Sequence, residues 1–162
     1  MMRMMHVFAS GFAIALASCG GDGNEPTKDA VEAAEGNVTL RGGFVRPVTA
    51  GDAATAGYTT LTSQTDDVLI GAEVPGFASV ELHEGTEQNG VSRMRRIERI
   101  VLPAGESVIL APGGYHLMMM GPQAELAEGA TVSVTFRFES GTTLTAELPV
   151  ERRAGSDHDE GH

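Results

Sequence analysis

Hydrophobic and polar residues alternate with a period of two along the C-terminal part of the chain. In TVSVTFRF (Thr131–Phe138), Val132, Val134, Phe136 and Phe138 fall on one side. In LTAELPV (Leu144–Val150), Leu144, Ala146, Leu148 and Val150 do the same. Such alternation marks half-buried strands, and the intervening ESG suits a hairpin turn. Upstream, GYTTLTS, DVLIGAEV, ASVELHE, SRMRRIERIVL, SVILA and YHLMMM are further strand candidates, punctuated by turn chemistry such as LPAGE and APGG. No long helical period and no internal repeat interrupts them. Short strands with turns at close spacing predict one all-β domain over residues 37–150, an antiparallel β-sandwich or barrel.

The two ends read differently. In residues 1–18, Arg3 precedes an apolar run from Val7 to Leu16. That run falls short of the roughly 20 residues a membrane-spanning helix needs and reads as the core of a signal peptide. The adjoining LASC resembles the bacterial lipobox, which implies cleavage before Cys19 and acylation of that residue; the alternative is an ordinary signal peptide with a chance cysteine. Two or more acyl chains anchor stably where one does not. Cys19 is the only cysteine, so no internal disulfide can form. Residues 19–36 are small, polar and acidic, as a flexible tether would be; KDAVEAAE within them has length for a helical turn or two. Residues 151–162, ERRAGSDHDEGH, are too polar to be expected to fold and read as a disordered tail. The formal charge is −11, and removing residues 1–18 takes away Arg3 and no acid, leaving −12. Such a charge argues against nucleic acid as a partner and favours repulsion from anionic membrane surfaces.

Candidate chemistry is concentrated in a short window. Once the signal peptide is removed, the domain keeps two histidines, His83 and His116, and four methionines, Met94, Met118, Met119 and Met120. Methionine used as core filler would be scattered more widely. Alternation divides the group further. Leu117 and Met119 share the core side of their strand, whereas His116, Met118 and Met120 share the other. Val80 and Leu82 place His83 off the core side with Glu81, and Met94 sits with Ser92 and Arg96. Thioether sulfur is a soft donor that favours Cu(I), and imidazole is borderline. Two His and two Met bring no charge, which penalises a monovalent ion less than a divalent one. Structural zinc would recruit Cys or His, and a blue-copper centre needs a thiolate that the domain lacks. Arg93, Arg95, Arg96 and Arg99 cluster around Met94, a solvated strand face or a steering patch for an acidic partner.

His83, ten residues, Met94, twenty-one residues, then His116-Leu117-Met118 is similar to the H-x10-M-x21-H-x-M motif of the periplasmic PCu(A)C copper chaperones. VELHE, GVSRMRRIERIVLPAG and PGGYHLMMMG around these positions share the likeness, which extends over roughly 57–150. The resemblance implies a cupredoxin-like antiparallel Greek-key β-sandwich with Cu(I) held by His83, Met94, His116 and Met118. It implies delivery toward the copper centre of cytochrome c oxidase, with an oxidase subunit or a Sco-type protein as partner. The lipobox sets this chain apart from soluble members and points to a lipid anchor on the periplasmic side of a bacterial membrane. Met120, His158 and His162 are candidates for a secondary site, and the tail histidines with neighbouring carboxylates suit Cu(II). Two other classes stay open on sequence alone: a copper-dependent redox enzyme, and a β-sandwich interaction lipoprotein in which the His/Met cluster is incidental.

Overall fold

The computed structural model describes residues 31–153. The signal peptide, Cys19, the tether up to residue 30, His158 and His162 lie outside the described residues. Within them the strands are β1 (Glu32–Glu35), β2 (Val38–Val45), β3 (Ala54–Ser63), β4 (Asp67–Glu73), β5 (Phe77–Gln88), β6 (Val91–Ile97), β7 (Ile100–Leu102), β8 (Ser107–Leu110), β9 (Tyr115–Pro122), β10 (Thr131–Phe138) and β11 (Thr143–Pro149). They form a seven-stranded sheet in the order β1-β2-β3-β8-β9-β5-β6 and a four-stranded sheet in the order β11-β10-β4-β7. The all-β sandwich expected from the alternation is the fold. Neighbours such as β3 and β8, or β4 and β10, come from distant parts of the chain, as Greek-key connections require.

The core lies between the sheets. Leu40, Leu61, Leu82, Leu117 and Met119 come from the larger sheet; Leu69, Leu102, Val134, Phe136 and Leu148 come from the smaller. Each such side chain stabilises the fold by about 1.5–3 kcal/mol relative to exposure. Both alternating runs of the C-terminal hairpin turn their apolar sides inward as expected.

Three local features depart from the sequence reading. SRMRRIERIVL, expected as one strand, is two: β6 ends at Ile97 on the edge of the larger sheet, and β7 begins at Ile100 in the smaller one. The two-residue corner at Glu98-Arg99 carries the chain between sheets without Gly or Pro. Residues 32–35, expected inside the tether with a helical turn or two, are extended and pair with β2 through Glu32↔Arg41 to Glu35↔Val38. The third is a bulge in β2. Leu40 faces the core, yet so does Val45, five residues on. Register shifts between Arg41 and Phe44 because Gly42 and Gly43 insert an extra residue, which reverses the facing of the remainder of the strand. Gly43 has φ +129°, and a Cβ there would lie 2.7 Å from the Tyr58 carbonyl oxygen. The bulge turns Phe44 outward, opposite Tyr58.

Candidate metal centre

The strand register brings the predicted residues onto one face. In β5 and β9, His83 stands opposite His116 and Glu81 opposite Met118. In β5 and β6, Gly85 stands opposite Met94 and His83 opposite Arg96. Directly opposed residues share a face, so His83, Met94, His116 and Met118 all project from the outer side of the larger sheet. The imidazole centroids of His83 and His116 are 5.6 Å apart at 55°. Met94, His116 and Met118 line a single cleft of about 700 Å³. Met120 shares the face but stands further along β9, opposite Ser79 and Ala54, and is not part of that cleft's lining.

The face is more enclosed than alternation alone suggests. His116 is only 4% exposed although it points away from the sandwich core, while Met94 on the edge strand is 63% exposed. Two structures cover His116. On one side Tyr58, itself buried, stands 6.4 Å away ring to ring. Tyr58 is backed by Phe44 at 5.0 Å, over which the Arg153 guanidinium lies at 4.7 Å. On the other side the Ala111–Gly114 turn folds over β5. The Gly85 N–H donates to the Gly114 carbonyl at 2.9 Å. A Cβ on Gly85 would meet the Gly113 backbone at 3.0 Å, so glycine is what admits the turn there.

Hydrogen bonds assign the ring nitrogens. His116 Nδ1 lies 3.0 Å from the Gly114 carbonyl oxygen, which can only accept, so Nδ1 carries the proton and Nε2 the lone pair. His83 Nε2 lies 3.0 Å from a Glu81 carboxylate oxygen. Glu81 also receives Arg96 at 3.1 Å. The hydrogen bond from His83 outweighs the cost of partial burial and, with help from the Arg96 charge, holds the Glu81 carboxyl below its ordinary range. His83 Nδ1 is buried with no hydrogen-bond partner. A buried, orphaned imidazole nitrogen beside a second imidazole fits this donor set to a soft cation. Among the described residues no three His, Cys, Asp or Glu side chains converge as a metal site, so a metal held on this face would need the thioethers.

The four candidate side chains bring no charge of their own, but a carboxylate stands beside them. Glu81 shares that face and accepts from His83. Its parity was legible, but its contact and its Arg96 clamp were not. The arginine cluster is also partly neutralised at home, since Arg95 pairs with Glu84 at 2.8 Å as Arg96 does with Glu81.

A β-sandwich with a soft, half-covered His/Met face on its larger sheet is the class that fold and geometry define. Residues 38–150 match the model of the LpqE-like family, described as "Putative lipoprotein LpqE-like", and the chain belongs to that family. It is 34% identical over 114 residues to "Putative lipoprotein Lxx21020" of Leifsonia xyli subsp. xyli, covering 70% of this chain and 69% of the relative. Among solved structures it resembles the copper-bound PCuAC domain from PmoF2, at 25% identity and a TM-score of 0.63, over 75% of this chain and 98% of that one. The solution structure of the Cu(I) form of DR1885 from Deinococcus radiodurans matches at 30% identity and a TM-score of 0.58, over 70% and 77%. The apo PCuAC domain from PmoF1, at 19% identity and a TM-score of 0.63, shares the fold.

Proposed function

We propose that this protein is a lipid-anchored, extracytoplasmic Cu(I) chaperone and not an enzyme. The observation that carries the reading is the placement of His83, Met94, His116 and Met118 on one sheet face, three of them lining one cleft. The roles follow from position. His116, enclosed by Tyr58 and the Ala111–Gly114 turn, is the fixed ligand. His83 and Met118 complete the inner part of the set. Met94, on the exposed edge strand, is the ligand that a partner's donors can replace first. Copper handover then proceeds by ligand exchange through a shared-copper intermediate, toward a copper-accepting oxidase subunit or a Sco-type protein, ultimately the copper centre of cytochrome c oxidase. Cys19 supplies the anchor on the periplasmic side of the membrane. The likeness to a Cu(I)-bound solution structure at 30% identity supports the choice of ion.

The test is a transfer assay. Cu(I)-loaded protein is mixed with the apo copper-binding fragment of an oxidase subunit, and copper is followed in both after separation. Movement of copper to the fragment, faster in Met94→Leu, is expected. Retention of all copper, with apo and loaded forms binding the fragment equally, contradicts the chaperone reading.

A further inference from the structure

The two histidines of the centre present opposite ring nitrogens. His116 donates through Nδ1 to the Gly114 carbonyl and keeps its lone pair on Nε2. His83 is the reverse: Nε2–H points at Glu81, 3.0 Å away, and the buried, unpartnered Nδ1 holds the lone pair. Glu81 is not loose, because Arg96 holds its other oxygen at 3.1 Å. Side chains at 81 and 83 point the same way from β5, and Met118 stands directly across from Glu81.

We infer that Glu81 is a positioning residue of the copper site: it fixes His83 as the Nε2–H tautomer, makes Nδ1 the ligating atom, and places one carboxylate charge a single imidazole away from the ion. This rests on the copper reading above. A carboxylate bonded to the far nitrogen orients the ring and raises its donor strength. It also offsets the charge of a cation whose own ligands, two imidazoles and two thioethers, are neutral. The same carboxylate interacts more strongly with Cu(II) than with Cu(I), so Glu81 lowers the reduction potential of the bound ion. Arg96 opposes it in part, and both charges sit on the face where a partner would approach.

The experiment has three readouts on wild type, Glu81→Gln and Glu81→Ala, with His116→Ala/Met118→Ala as control. Long-range ¹H–¹⁵N spectra of the apo protein report the tautomers. Competitive titration gives Cu(I) affinity, and voltammetry gives the potential. Expected are an Nε2–H ring at His83 and an Nδ1–H ring at His116, with Cu(I) shifting Nδ1 of His83 and Nε2 of His116. Glu81→Gln, which keeps an acceptor but loses the charge, weakens Cu(I) about 10-fold and raises the potential; Glu81→Ala weakens it toward 100-fold. An Nδ1–H ring at His83, a Cu(I) shift at its Nε2, or a Glu81→Gln protein equal to wild type in affinity and potential overturns the inference alone. Undiminished Cu(I) binding in the double-alanine control overturns the copper reading, and the inference with it.

Discussion

The two faces of β9 carry the same kind of residue to opposite ends. Met119 is fully buried between the sheets, and its Cε would lie 2.7 Å from a Cβ at Gly57, which stays glycine in a packed core. Met118, one residue earlier, lies on the outer face across from Glu81 and lines the cleft with His116 and Met94. Residue type does not separate these two methionines; facing does. A thioether on the inner face meets only hydrocarbon and contributes packing. One on the outer face meets imidazoles and a cleft open to solvent, where its soft lone pairs are available.

The comparison breaks most visibly through stability. Met119→Ala removes a buried side chain and should cost about 2–5 kcal/mol, seen as a lower midpoint in denaturant, with Cu(I) affinity of the folded fraction retained. Equal destabilisation by Met118→Ala would erase the distinction between the faces. The glycines sharpen it next. At Gly85 an added methyl meets fixed backbone of the Ala111–Gly114 turn, so Gly85→Ala should cost about 1–3 kcal/mol and weaken Cu(I) binding by displacing the turn that holds His116. At Gly57 the obstacle is mainly the flexible end of Met119, so Gly57→Ala should be the milder change and leave copper binding alone. Chemical denaturation paired with Cu(I) titration separates the two.

The smallest effect concerns a region far from the cleft. Asp67, at the start of β4, accepts from the Val68 N–H and from both the N–H and hydroxyl of Ser140, tying β4 to the β10–β11 turn. Burial pushes its carboxyl up, but these hydrogen bonds outweigh it and leave the pKa below the ordinary 3.8. The folded state therefore holds its proton less tightly than the unfolded chain. The resulting stability is fully present above about pH 4 and is lost as pH falls through the lower folded value. Asp67→Asn should flatten that acid limb in pH-dependent denaturation without changing Cu(I) affinity at neutral pH.

How far the sequence could be read follows the same division. Alternation in TVSVTFRF, LTAELPV and YHLMMM was enough to place core and outer residues, because a half-buried strand imposes its period directly. The parity of His83, Met94, His116 and Met118 came from the same signal. Local pattern could not reveal pairings between distant segments, so the insertion of β8 between β3 and β9 was not legible. EAAE in β1 has helix-favouring residues and becomes a strand only because β2 supplies a partner, a case of tertiary context overriding propensity. The Gly42-Gly43 bulge hid β2 by reversing its alternation midway. Enclosure of His116 escaped as well, since Tyr58 and the Ala111–Gly114 turn reach it only in three dimensions.

The most direct measurement is a competitive Cu(I) titration of the protein beside Met118→Leu, Met119→Leu and His116→Ala/Met118→Ala. The account predicts one tightly bound Cu(I) per chain, unchanged in Met119→Leu, weakened in Met118→Leu, and weakened in the double variant beyond the roughly 100-fold that loss of an outer-sphere partner costs. Equal affinity in all four proteins, or an effect of Met119→Leu as large as that of Met118→Leu, would contradict it.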